Sequence, residues 1–256
     1  YIDKYGSEFT EKSVLDFHYF LCQLHFYDHF PKIKIIATGS STFLFLQNID
    51  DSLAGRKIIF SLYPLSLEES AEVTVKNYWK FKNLILGEDR LTEEVKKILL
   101  YGSYPEIYLL KKSQDKKEKL KELIDSYLFN DLFKMEGIKS PKTIVELTKL
   151  LAYQIGNLVN PNEIASVLGV SRKTVMHYID LLERFFIIFK LYPYEKNKRD
   201  LIKKKFKAYF YDLGIRNALI GNFTSLDLRE DKGFLLENAV VLGLKRRVDY
   251  DRKFYE

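Results

Sequence analysis

The 256-residue sequence predicts an α/β chain in which helices predominate. Three observations point there. Two β-rich runs, Lys32 to Ala37 and Lys57 to Tyr63, are bounded by Pro31, Gly39 and Pro64, as short buried strands are. From Ser66 to about residue 158 the pattern is helical, jointed at Gly102, Pro105, Gly137 and Pro141. Beyond Asn160, two short helices precede two further β-rich runs.

Composition narrows the class. A hydrophobic content of 46% is that of a globular chain and excludes intrinsic disorder. One cysteine, Cys22, excludes a cystine-stapled scaffold. No uncharged apolar run approaches the ~20 residues of a membrane span. No charged-then-apolar leader follows Tyr1, so a cytoplasmic protein with no membrane partner is the default expectation. The first residue is not Met, and Phe254, Tyr255 and Glu256 read as a strand just beginning. The chain is therefore expected to be part of a longer protein.

Taken in order, residues 13–29 form an aromatic-rich helix stopped by Pro31. Thr38-Gly39-Ser40-Ser41 closes the first strand, and residues 42–49 are helical. Ser66 and Glu69 have the spacing of a capping box, in which each side chain satisfies an orphan amide. Lys111 to Lys121 reads as a solvated helix face. Asn160 is an N-cap with Pro161 in the first turn and Glu163 three residues on. Ile164, Ala165 and Leu168 share one face. Gly169-Val170 turns the chain, and Ser171 caps a second helix with an apolar face of Val175, Tyr178, Ile179 and Leu182. This is a helix-turn-helix. Strands come next at Phe186 to Tyr192 and Lys207 to Tyr211, and the basic link between them completes a winged helix.

Charge gives this module its address. The net charge is +6, and the window 196–207 holds seven basic residues and one acid, Asp200, leaving the remainder balanced. In a helix-turn-helix the first residues of the second helix meet base edges, here Arg172, Lys173 and Thr174 with His177 one turn on. Lys198, Arg199, Lys203, Lys204 and Lys205 of the wing would contact phosphate through counterion release. Duplex DNA is the expected partner; a protein partner or self-association fits the same module.

A set of short motifs carries a family resemblance. These are Thr38-Gly39-Ser40-Ser41, Leu53-Ala54-Gly55-Arg56, Leu62-Tyr63-Pro64-Leu65-Ser66, Gly102-Ser103-Tyr104-Pro105-Glu106 and Asn130-Asp131-Leu132. The helix-turn-helix at 160–184, Tyr209 to Arg216 and Phe234 to Asn238 complete the set. In this order they resemble the archaeal and bacterial AAA-type (P-loop) ATPases that carry a winged helix and an uncharacterised C-terminal domain. The resemblance implies a nucleotide site with ATP and Mg, Thr38 and Ser40 as γ-phosphate sensors, and Arg56 as a phosphoryl-neutralising guanidinium. Asp16 is the nearest match to the Mg ligand, with Phe17 where the catalytic Glu is expected and Asp3 a weaker candidate. No glycine is followed by Lys, so the phosphate loop Gly-x-x-x-x-Gly-Lys-Ser/Thr is absent from these residues. The chain alone is expected to bind ATP weakly at best and not to turn it over. A nucleotide-independent winged-helix DNA-binding module is the alternative.

Two further constellations bear on metal chemistry. His18, Cys22, His25 and His29 fall on one helical face but span about 16 Å, too long for one metal, so a packed aromatic face is expected and no metal site. The C-terminus resembles the start of a restriction-nuclease-like fold, a helix with Glu237 followed by a strand reaching Glu256. The expected division is a partial AAA-type core at 1–70, a helical lid-like region at 71–145, the winged helix-turn-helix at 146–220, and the start of a truncated C-terminal domain at 221–256.

Overall fold

The computed structural model describes residues 60–74, 88–133, 140–194 and 205–252. The chain divides into two compact units, Tyr1–Phe60 and Ser61–Glu256. The second unit is mostly helical with a small two-stranded sheet, a mixed α/β unit. The helices and strand expected within residues 13–49 lie outside the described residues. Of the strand expected at 57–63, residues 60–63 are irregular rather than β, with Leu62 exposed and no ladder partner among the described residues.

Helix α1 (Leu67–Thr74) begins at the capping box. The Glu69 amide donates to Ser66 Oγ at 3.0 Å and the Ser66 amide to Glu69 Oε2 at 2.7 Å. Helix α2 (Glu88–Tyr101) ends at Gly102, whose φ of 74° is the left-handed turn that glycine allows. Helix α3 (Pro105–Leu109) starts on a proline, and α4 (Ser113–Glu122) comes next. A π-helical turn at Leu123–Leu128 leads into α5 (Phe129–Phe133).

Here one expectation is corrected. The charge run on α4 is not wholly solvated, because Lys116 is buried and its Nζ donates to the carbonyls of Ile107 at 2.8 Å and Tyr108 at 3.0 Å. Those carbonyls close α3, so the ammonium caps a helix end, where a cation is favoured. Burial lowers the Lys116 pKa.

Helix α6 (Pro141–Tyr153) is capped by Ser140 and buries Ile144, Leu147, Leu151 and Ala152. Helices α7 (Pro161–Leu168) and α8 (Arg172–Arg184) precede strands β1 (Ile188–Leu191) and β2 (Lys207–Phe210). The strands are antiparallel, with Ile188 opposite Phe210 and Leu191 opposite Lys207, and Leu158 bridges to Lys207 from the other side. β1 is shorter than the expected run from Phe186, because Phe186 occupies the left-handed region (φ 54°) and turns the chain out of α8. Helix α9 (Leu213–Leu219) leads through a 3₁₀ turn (Leu226–Leu228) to α10 (Lys232–Arg252). The expected C-terminal helix thus runs on to Arg252, and residues 254–256 lie outside the described residues. One continuous apolar core runs from Leu99 to Leu235 and includes buried side chains of α6, α7, α8 and α9.

The sharpest junction in this core is polar. Asp212, fully buried, caps α9 by accepting from the Ile215 amide at 3.0 Å, and it also accepts from the Ser103 amide at 2.8 Å. A Cβ on Gly102 would stand 2.0 Å from Asp212 Oδ1, and one on Gly214 would stand 2.1 Å from the Tyr101 carbonyl oxygen. Burial pushes the Asp212 carboxyl up to about 6, against the pull of backbone N–H groups of Ser103, Ile215, Gly214 and Tyr104.

This junction has two measurable outcomes. Gly102→Ala should destabilise the unit by at least ~1–2 kcal/mol from the left-handed backbone alone, read as a lower denaturation midpoint. The Asp212 carboxyl should titrate near pH 6 by carbon-detected NMR. With the folded pKa above the unfolded 3.8, the folded state holds the extra proton between roughly pH 4 and 6, so this group's contribution to stability falls as pH rises through that window.

Candidate nucleic-acid interface

The sequence builds this surface from local rules. Asn160 accepts from the Asn162 amide at 3.3 Å and starts α7, with Pro161 as its first residue. Gly169 ends α7 in the left-handed conformation (φ 65°), and the Val170 amide returns to the Ala165 carbonyl at 3.1 Å. Ser171 then caps α8, its Oγ accepting from the Thr174 amide at 3.1 Å. Ile164 and Ala165 of α7 and Val175, Tyr178, Ile179 and Leu182 of α8 are buried, which fixes the outward face of both helices.

On that face Arg172, Lys173 and His177 are exposed around the first turns of α8. Thr174 is half-buried and its hydroxyl lies 2.9 Å from Ser171 Oγ, so it serves the cap. The amide dipoles of the first turn add to the two cations, which makes this end of α8 electropositive. Acids gather further along. Lys190 of β1 is held by Asp180 and Glu183 at 2.7 Å each. Burial would depress the Lys190 ammonium, but the hydrogen bonds to these two carboxylates carry it above the ordinary lysine value.

Of the expected wing, Lys205 is exposed, whereas Lys198, Arg199, Lys203 and Lys204 lie outside the described residues. Tyr194 is exposed and Tyr192 leans on Phe206 with ring centroids 5.5 Å apart. Lys207 ends the basic window but is engaged with Glu237 at 2.9 Å. Glu237 also accepts from Tyr209 Oη at 2.5 Å; these two hydrogen bonds, Tyr209's the larger, lower its pKa. Thr38, Ser40, Arg56, Asp16 and the His18–His29 set lie outside the described residues. Among the described residues no group of three or more His, Cys, Asp or Glu side chains is placed to hold a metal ion. No described helix is long and apolar enough to cross a membrane.

Sequence reading missed a buried polar network around the α9 helix. Arg216 donates from Nε to the Ala152 carbonyl at 2.8 Å and contacts Asp231 at 2.6 Å. Arg229 pairs with the same carboxylate at 2.7 Å and donates to Asn217 Oδ1 at 3.0 Å. Asn217 Nδ2 donates to the carbonyls of Leu99 and Leu100, both at 2.9 Å. The two guanidinium groups, Arg229's hydrogen bond foremost, hold Asp231 at about 2. The only sequence signal was Arg216 inside the Tyr209 to Arg216 motif.

Residues 92–226 match the family described as "Domain of unknown function (DUF8612)", and residues 18–71 match an AAA domain. Since the first match covers more than half of the sequence, the chain belongs to that family. An uncharacterised protein of Haemophilus influenzae is 29% identical over 218 residues, covering 83% of this chain and 51% of its own length. An uncharacterised protein of Methanocaldococcus jannaschii is 30% identical over 236 residues, covering 87% of this chain and 50% of its own length. The chain thus spans about half the length of these relatives. No solved structure matches significantly.

Ser171→Ala should remove the α8 cap at a cost of ~1 kcal/mol, read by chemical denaturation. Faster hydrogen exchange at the Thr174 amide should accompany it.

Proposed function

We propose that this chain is part of an AAA-type ATPase in which a winged helix grips duplex DNA and is coupled to the nucleotide state. The observation that carries the DNA reading is the exposed Arg172, Lys173 and His177 on the first turns of the second of two helices joined by a left-handed glycine turn. The antiparallel hairpin after α8 supports the wing, and the cationic window from 196 to 207 supports phosphate contact. The ATPase half of the reading rests on the AAA match at residues 18–71 and on the motif order. Under this reading ATP and Mg serve the whole protein, with Thr38 and Ser40 sensing the γ-phosphate, Arg56 neutralising charge and Asp16 holding the metal. The four-part division at 70, 145 and 220 belongs to the same proposal.

The chain should bind duplex DNA weakly, with affinity falling steeply as salt rises, measured by fluorescence anisotropy across a salt series. Arg172→Ala with Lys173→Ala should weaken binding and make the log–log salt slope shallower by about one for each phosphate the variant no longer neutralises. Undetectable binding at low ionic strength, or binding indifferent to salt, would overturn the electrostatic account. Affinity of the full-length protein that ignores ATP would favour the nucleotide-independent module.

A further inference from the structure

The far end of β1 carries aromatic surface for which duplex contact by α8 has no use. β1 returns alongside α8: the Ile187 amide donates to the Leu182 carbonyl at 3.0 Å, and Lys190, three residues on, meets Asp180 and Glu183. Residue numbers rise along the strand as they fall along the helix. The strand therefore heads toward the first turns of α8, where Arg172 and Lys173 are exposed.

Past Leu191 the chain continues as Tyr192-Pro193-Tyr194. Proline fixes its own φ and holds the residue before it extended, so this is a stiff step off the end of the strand. The register that sets Ile188 opposite Phe210 brings Tyr192 level with Phe206, and their rings meet with centroids 5.5 Å apart. The same register sets the exposed Lys205 level with Pro193, between the two tyrosines. Tyr192 is thus a backed ring at the surface, and Tyr194 beyond it is 89% exposed. Acids do not spoil the site for an anionic ligand. Asp180 and Glu183 are taken up by Lys190, and Glu195 and Asp200 stand among six Lys and Arg residues between Tyr194 and Phe206.

Cations interleaved with exposed aromatic rings suit unpaired nucleic acid, because the cations follow phosphate and the rings stack on bases of any sequence. Inside a duplex each base face is covered by its neighbour; an unpaired base has a face to offer. We propose, resting on the reading of α8 as a duplex-binding helix, that this surface is built for a duplex with a single-stranded arm. The duplex lies against the first turns of α8, and the first unpaired base of the arm stacks on Tyr194, with Tyr192 behind it and Lys205 at the phosphate.

The test measures fluorescence anisotropy of the 256-residue chain on a blunt duplex, on the same duplex with a single-stranded arm, and on the arm alone, at one salt concentration. The armed duplex should bind at least about 5-fold tighter than either of the others. Tyr194→Ala should remove that advantage, and Tyr194→Leu, apolar but without a flat ring, should remove it too. Tyr194→Trp should keep it. The readout is the armed-to-blunt ratio, which a general loss of folding does not mimic. 5-Iodouracil at the first unpaired position should photo-crosslink to Tyr194 in the unsubstituted chain, mapped by mass spectrometry. Equal affinity for the blunt and armed duplexes overturns the proposal and leaves the duplex reading of α8 standing. An arm alone that binds as tightly as the armed duplex overturns it, as does an armed-to-blunt ratio that survives Tyr194→Ala. Binding to none of the three sinks this proposal and the duplex reading together.

Discussion

A single buried carboxylate, held by backbone amides, organises the second unit. Asp212 stands where the end of α2 meets the start of α9 and accepts amide hydrogen bonds from both sides of that meeting. Two glycines make the approach feasible, Gly102 by clearing space for the carboxylate and Gly214 by letting α9 come against the Tyr101 carbonyl. The carboxylate is solvated by the protein itself, through oriented backbone N–H groups. Removing it would leave those donors buried without acceptors, at ~1–3 kcal/mol for each group. The apolar core supplies most of the burial energy, but Asp212 sets how α2 and α9 meet.

The arginine network extends that arrangement. Asn217, one residue from Arg216, donates to the last-turn carbonyls of α2, while Arg216 reaches the Ala152 carbonyl near the end of α6. Helix ends that would otherwise bury orphan carbonyls are thereby satisfied by side chains of α9. Because α7 and α8 share the core with α6 and α9, the cationic first turn of α8 is carried on a connected framework. Its orientation depends on residues distant in sequence from the surface it presents.

The legible part of this fold is the local part. The box at Ser66 and Glu69, the caps at Asn160 and Ser171, and the turn at Gly169 each depend on residues within a few positions. Each could therefore be read from spacing alone. The positions of β1 and β2 were legible for the same reason, although the left-handed Phe186 was not. Long-range chemistry was hidden. Lys116 sits in an ordinary charge run, and nothing nearby announces that its ammonium closes a helix earlier in the chain. Asp212 lay inside the Tyr209 to Arg216 motif with nothing to mark it as the α9 cap, and its second partner, Ser103, lies 109 residues away. On the first turns of α8, spacing found the exposed Arg172, Lys173 and His177 but could not tell that the Thr174 hydroxyl serves its own helix.

Asn238 has a consequence for how the sheet ends. Its side-chain amide accepts from the Phe210 amide at 2.7 Å and donates to the Phe210 carbonyl at 2.9 Å, as a neighbouring strand would. Leu158 occupies the same edge at Lys207, and on the opposite edge Glu183 accepts from the Lys190 amide at 3.0 Å. Among the described residues, side chains and one isolated bridge stand at these edge positions where a further strand would pair. The sheet is thus protected from edge-to-edge growth with other chains, the route by which exposed hairpins seed aggregates.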